Sequence, residues 1–406
     1  MKKSPAPKKS SPLKLKSQPY PSVLPKSRPT PKFPSVATRA AHRGPEHAAK
    51  DELLPFPAPE GNAKMTLESF FGSDAIRQIT QAGQLIFHFV GDTGRGTAAQ
   101  ESVAQAMARD INNDNYVLGP SFMINAGDVL YGPNKQAHYP DRFYRMYSDY
   151  NRLIFAVPGN HDGEILPGTD PTTLAAFIEN FCAAPGTQPA LAKQFGVLAP
   201  NQPGVYWHLE APFVDILGLY SNKAEDFGMI SDPVIGTQQI DWLKERLTTI
   251  AQARKSGRRK AALLIVVHHP PYARGFQESG FGHPGSPKML ADIDACCAAA
   301  SILPAAVLSG HTHNHQRYMR TQTLGNETWT IPYIIAGTGG ISIQKIPAPR
   351  GVQKDGVLYA SAHQNYGYVT VSVSATQLTL AFTEADETHR NIQEQVTMDL
   401  RTHTQI

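Results

Sequence analysis

Five short apolar runs, each breaking off into a loop of Gly, Asp, Asn and His, constrain this chain more than any other feature. They occupy residues 85–90, 121–126, 153–157, 262–267 and 305–309. Short apolar runs bounded by turn residues read as strands buried on both faces, since a half-buried strand would alternate with polar residues. Helical patterns lie between them. Thr97 is placed to cap one, and residues 237–255 repeat Ile240, Leu243, Leu247 and Ile250 along one face. Residues 289–300 read as a further helix. Strands alternating with helices predict an α/β class. Residues 205–209 and 213–219 look like a hairpin, and 368–382 alternate as further strand, so the sheet is not expected to be purely parallel.

The loops carry the chemistry. They read Gly91-Asp92-Thr93-Gly94, Gly127-Asp128-Val129-Leu130-Tyr131, Gly159-Asn160-His161-Asp162, His268-His269-Pro270-Pro271-Tyr272 and Gly310-His311-Thr312-His313-Asn314-His315. Ligands of α/β sheets bind outside the carboxyl ends of strands, so five such loops can converge on one place. Carboxylate and imidazole without thiolate suit Zn, Mn or Fe. Two Asp, an Asn, a Tyr and three His are too many donors for one ion and suit two ions sharing a carboxylate. Alone, each residue has a plainer explanation: Asp92 and Asp128 as turn formers, Asn160 as a turn residue, Tyr131 as a core aromatic. The glycines of the first loop lack the dinucleotide spacing, no Lys-Ser/Thr follows them, and no Gly-x-Ser-x-Gly elbow is present.

The 406 residues are 41% hydrophobic, enough for a sizeable core. The formal charge of +4 is unevenly spread: residues 1–50 hold twelve Lys/Arg against one acid, so they carry +11 and the remainder −7. An acidic body suits a cation site and argues against a globular nucleic-acid-binding face. Ten prolines in those first fifty residues deny helix and ladder hydrogen bonds. Residues 1–62 are therefore expected to be a disordered basic tail, residues 63–400 the domain that carries these loops, and the last twenty residues a polar tail. Contact of residues 1–50 with nucleic acid or an anionic surface is open. Cys182, Cys296 and Cys297 are too few for a disulfide framework, no run approaches the ~18 apolar residues of a membrane span, and no apolar stretch of signal type follows the basic start. A cytoplasmic location is the expectation. The oligomeric state is not readable.

In order and style, GDTG, GDVLY, GNHD, HHPPY and GHTH resemble the motifs of the calcineurin-like metallophosphoesterases, over roughly residues 85–385. Gly94 and Tyr131 are similar to the purple acid phosphatase branch, in its small single-domain form; most of the superfamily has a His in place of that Gly and no Tyr ligand. The resemblance implies a four-layer α/β/β/α sandwich of two mixed β-sheets. It implies that Asp92, Asp128, Tyr131 and His313 hold one ion, typically Fe(III), that Asp128 bridges, and that Asn160, His268 and His311 hold a second, Fe, Zn or Mn. His161 would stand over the phosphate or leaving group, with His283 and His269 lining the pocket. The implied function is hydrolysis of a small phosphate ester, expected to be a monoester, by in-line attack of a hydroxide held by the ions. A phosphodiesterase or nucleotide phosphatase of the same superfamily, or a catalytically weak metal-binding regulatory protein acting through its basic tail, are the alternatives. The branch reads H-x-P at the fourth motif, which makes His268 the ligand and His269 its neighbour; a shift of one residue would reverse them. His315 and Arg317 are expected at the rim, Asp162 as a support for a ring nitrogen, and His88 and His208 as strand residues.

Overall fold

The computed structural model describes residues 53–111, 116–166, 172–183, 187–275, 283–346, 351–354, 356–385 and 390–406. In chain order the strands are β1 (Lys64–Thr66), β2 (Gln84–Val90), β3 (Phe122–Asn125), β4 (Leu153–Ala156), β5 (Trp207–Ala211), β6 (Val214–Leu219), β7 (Ala262–Val267), β8 (Ala306–Ser309), β9 (His315–Leu324), β10 (Glu327–Ala336), β11 (Val352–Lys354), β12 (Val357–His363), β13 (Gly367–Ser374), β14 (Gln377–Ala385), β15 (Arg390–Asp399) and β16 (Thr404–Gln405). The long helices are α1 (Leu67–Ala82), α2 (Ala98–Arg109), α3 (Gln238–Lys255) and α4 (Pro287–Ala300). Each apolar run of the sequence is a strand, and the segments read as helices are helices. The hairpin is β5 and β6, paired antiparallel.

Two mixed sheets result. One is ordered β1-β5-β6-β7-β8-β10-β9-β12-β11, the other β16-β15-β14-β13-β2-β3-β4. Within the second, β2, β3 and β4 are parallel neighbours, and within the first β6, β7 and β8 are. Alternation inside single strands shows how the sheets stack. Phe87 and Phe89 of β2, Phe122 and Ile124 of β3, Leu264 and Val266 of β7, and Leu308 of β8 share one buried cluster between the sheets. Their neighbours Val90, Met123, Leu263, Ile265 and Val307 belong to a second cluster with Val103 and Met107 of α2, Leu243 and Leu247 of α3, and Ile293 and Cys297 of α4. Strands apolar on both faces are what a sheet covered on both sides requires. α3 packs on α4, α2 on β13 and β14, and α1 on β1, β2 and β5. This is the expected sandwich of two mixed sheets with helices. Among the described residues no helix is long and apolar enough to cross a membrane.

Two expectations about the chain's ends change. The expected basic tail, and any contacts of residues 1–50, lie outside the described residues; residues 53–62, counted with that tail, pack on the body. Phe56 is buried with its ring 4.9 Å from that of Tyr220, and the Glu60 amide donates to Pro203 O at 2.6 Å. The polar tail at the other end is a strand. β15 pairs along β14, and its Val396 and Met398 enter the inter-sheet cluster while Gln395 stays exposed. The domain therefore continues past residue 400 through β16. A half-buried strand needs few apolar residues, so composition alone reads as coil.

Candidate metal centre

The parallel runs β2, β3, β4 and β7, β8 end where backbone hydrogen bonds stitch the loops together. Asp92 N donates to Gly127 O at 2.9 Å, Gly94 N to Asp128 O at 3.2 Å, Tyr131 N to Gly94 O at 3.2 Å and Gly310 N to His268 O at 3.0 Å. The turns are tight. Asp92, Asp128 and His311 hold φ of 60°, 52° and 72°, a left-handed conformation that costs of order 1–3 kcal/mol in non-glycine residues and persists where surroundings enforce it. At Gly94 a Cβ would lie 1.8 Å from Val129 O, so the first loop can pass over the second only without a side chain there.

All seven residues expected as ligands come together, and each is buried. Their donor atoms form two groups, Asp92–Asp128–His313 and Asp128–His268–His311, with the atoms of each within 4.8 Å of one another. Tyr131 Oη donates to Asp92 Oδ1 at 3.0 Å and lies 3.4 Å from His313 Nε2. Asn160 Oδ1 lies 3.0 Å from His268 Nε2. Asp128 Oδ2 and His311 Nε2 are buried without a hydrogen-bond partner.

The chemistry of this donor set fits a cation. His268 Nδ1 donates to Ala126 O at 2.7 Å, which leaves Nε2 with a lone pair in the neutral ring. That lone pair faces Asn160 Oδ1 and, at 3.4 Å, Asp128 Oδ2. His311 Nδ1 stands 3.2 Å from the same Nε2 and can donate to it, so the demand for a cation rests on the buried acceptors left without a partner, Asp128 Oδ2 and His311 Nε2. The titration behaviour has the same cause. Burial raises Asp92 to about 7, with His268 opposing and Asp128 adding to the rise. Burial acts in the same sense on Asp128, but His268 and His161 outweigh it and hold the group well below the usual carboxylate range. Burial would lower His268, yet Asp128 carries it up to about 9. His311 and His313 are pushed well down, by burial and then by neighbouring imidazoles, so they stay neutral, as ligands must.

The other expected residues divide. His161 N donates to Asp128 Oδ1 at 2.9 Å, and its ring lies 4.6 Å from that of Tyr131. The ring of His283 is 4.0 Å from that of His311, with Nδ1 buried and without a hydrogen-bond partner. His269 does not fit the pocket role. Its Nδ1 meets Ser221 Oγ at 2.7 Å and its Nε2 meets Ala224 O at 2.9 Å, so both nitrogens are taken. Asp162 supports backbone rather than a ring nitrogen, accepting from Gly159 N at 2.8 Å and from Val129 N and Leu130 N at 3.1 Å. His315 is not at the rim: it is buried, and Nε2 meets Glu394 Oε1 at 2.6 Å. Arg317 pairs with the same Glu394 oxygen at 3.4 Å. His88 and His208 are strand residues, paired with Asp110 and Asp215.

Two acids escaped the sequence reading. Glu164 Oε2 meets His161 Nδ1 at 3.1 Å, and Glu225 Oε2 accepts from Asn160 Nδ2 at 3.2 Å. Neither sits in a motif. Glu164 had a weak signal, its place one turn beyond Asn160; Glu225 had none.

The sequence model of the calcineurin-like phosphoesterase family matches residues 85–315, more than half of the chain. No curated protein matches it in sequence. Among solved structures, the chain is similar to GAP50, described as the anchor in the inner membrane complex of Plasmodium, at a TM-score of 0.55 and 14% identity over 78% of this chain and 89% of that one. It is also similar to a structure of PhoD, at a TM-score of 0.47 and 15% identity over 85% of this chain and 71% of that one. The likeness to GAP50 concerns the fold.

Proposed function

We propose that this chain, which belongs to the calcineurin-like phosphoesterase family, hydrolyses small phosphate monoesters at a centre of two metal ions that share Asp128. The observation behind the reading is the pair of buried donor groups meeting at that one carboxylate. Two ions held there would supply positive charge for the phosphoryl oxygens and an acidified water for in-line attack. Asp92, Tyr131 and His313 would hold one ion with Asp128. As phenolate and carboxylate, their hard oxygens would suit Fe(III), the ion typical of the purple acid phosphatase branch that the motifs resemble. Asn160, His268 and His311 would hold the other, Fe, Zn or Mn.

The remaining work falls to the chain's own residues. His161, beside Asp128 and Tyr131 and between Glu164 and Glu225, gives a proton to the leaving oxygen. Burial alone would lower this imidazole, but Asp128 and then the Glu164 hydrogen bond raise it to about 9. His283, with a buried nitrogen in need of a partner, contacts the phosphate.

The test compares His161→Gln with the unmodified full chain, both loaded with metal, on an alkyl phosphate and on p-nitrophenyl phosphate. A positioned acid is worth about 10²–10⁴-fold, and the alkyl ester needs it most. The expected loss is therefore of that size on the alkyl ester and much smaller on the nitrophenyl ester. Equal losses would remove the proton-donor role. A faster reaction with bis(p-nitrophenyl) phosphate would move the substrate class to diesters, and no turnover of any ester with two ions bound would overturn the hydrolase reading.

A further inference from the structure

The side-chain amide of Asn160 can serve a cation only one way round. Its oxygen has lone pairs to offer and its nitrogen has none, so a half-turn of the amide would present two N–H groups to the ion. What sets the orientation lies outside the motif. Glu225, in the segment after β6, is a carboxylate that can only accept hydrogen bonds, and its Oε2 takes Asn160 Nδ2 at 3.2 Å. That contact turns Asn160 Oδ1 to the opposite side, 3.0 Å from Nε2 of His268, a member of the second donor group. The same Oε2 stands 4.0 Å from His161 Nε2, while Glu164 Oε2 holds Nδ1 of that ring at 3.1 Å. The Glu225 side chain is 31% exposed, so its carboxylate stands at the mouth of the site rather than in the core.

We propose that Glu225 is a positioning residue for the second ion: its carboxylate locks the Asn160 amide with the carbonyl oxygen facing the metal. The inference rests on the two-ion reading above. It separates two tasks in one loop pair, because β4 delivers the ligand and the segment after β6, from the other sheet, decides which end of the ligand is offered.

The experiment is equilibrium dialysis of the metal-stripped full chain against buffered zinc, followed by metal analysis. Unmodified protein is expected to take up two zinc ions per chain. Glu225→Ala keeps the first at unchanged affinity and binds the second about 10–100-fold more weakly, the usual cost of losing an outer-sphere partner. Glu225→Gln recovers only part of the second affinity, since its amide oxygen can accept from Asn160 Nδ2 while its N–H groups also tolerate the turned amide. Asn160→Ala weakens the second ion by itself, and adding Glu225→Ala to it costs nothing more, because the two act through one contact. Unchanged affinities in Glu225→Ala overturn the proposal, as do a Gln variant as weak as the Ala variant and fully additive losses in the double variant. Unmodified protein that takes up fewer than two ions overturns the two-ion reading itself, so the two failures are distinguishable.

Discussion

At Gly94 a single missing side chain sets the geometry of two ligands. The first loop crosses the second so closely that any Cβ would meet Val129 O, and the crossing brings Asp92 beside Tyr131 Oη. Gly94→Ala is expected to lower the thermal midpoint, with a cost of about 1–3 kcal/mol typical of overpacking, and to weaken the Tyr131-bearing ion. Calorimetry and metal analysis check both, and an unchanged midpoint contradicts the crossing. Tyr131→Phe keeps the ring and removes the oxygen, so it is expected to fold normally. If that site holds Fe(III), the visible charge-transfer band disappears with the hydroxyl; a band that survives excludes Tyr131 as a ligand. At this scale the sequence was readable where a motif names the residue and opaque where a partner decides. His268 and His269 are adjacent and chemically alike; only Ser221 and Ala224, which occupy both nitrogens of His269, separate them.

Between elements, the least expected feature joins the two sheets. Glu394 of β15 meets His315 of β9 at 2.6 Å and lies 3.8 Å from His363 of β12, and the His315 ring stacks on Phe382 of β14 at 4.2 Å. Burial would raise the Glu394 carboxyl, but hydrogen bonds from His315 and His363 outweigh it and hold the group far below the ordinary glutamate range. A carboxylate depressed in the folded state binds fewer protons there than in the unfolded chain. Its contribution is therefore present above the ordinary glutamate value and is lost as pH falls below it. Glu394→Gln is expected to cost about 1–3 kcal/mol near neutral pH, as loss of a charged hydrogen bond does, and to flatten the loss of stability in the acid range. Denaturant unfolding at neutral and acid pH reads both; a parallel pH curve in the variant contradicts the account. β15 was invisible in the sequence because its outward residues are polar and its inward ones, Val396 and Met398, are few. The apolar central strands were plain for the opposite reason, being buried on both faces.

Over the whole molecule, five loops from two sheets meet at one end because β2–β3–β4 and β7–β8 each run parallel. That convergence was legible in the order of the motifs. The supports supplied by Glu164 and Glu225 were not, since they come from segments with no pattern of their own. The body also reaches further toward the start of the chain than composition suggests. Deleting residues 1–62 removes the Phe56–Tyr220 contact and the Glu60–Pro203 hydrogen bond, whereas deleting residues 1–52 leaves both. The longer deletion is expected to have the lower thermal midpoint; equal midpoints would return residues 53–62 to the tail. If two ions share Asp128 and act together on a phosphate ester, the rate of p-nitrophenyl phosphate hydrolysis as metal is added back to stripped protein will show it. Little turnover is expected up to one ion per chain, then a rise to full rate as the second binds, and neither uptake nor turnover in Asp128→Ala. Full rate with one ion per chain, or turnover retained in Asp128→Ala, would contradict it.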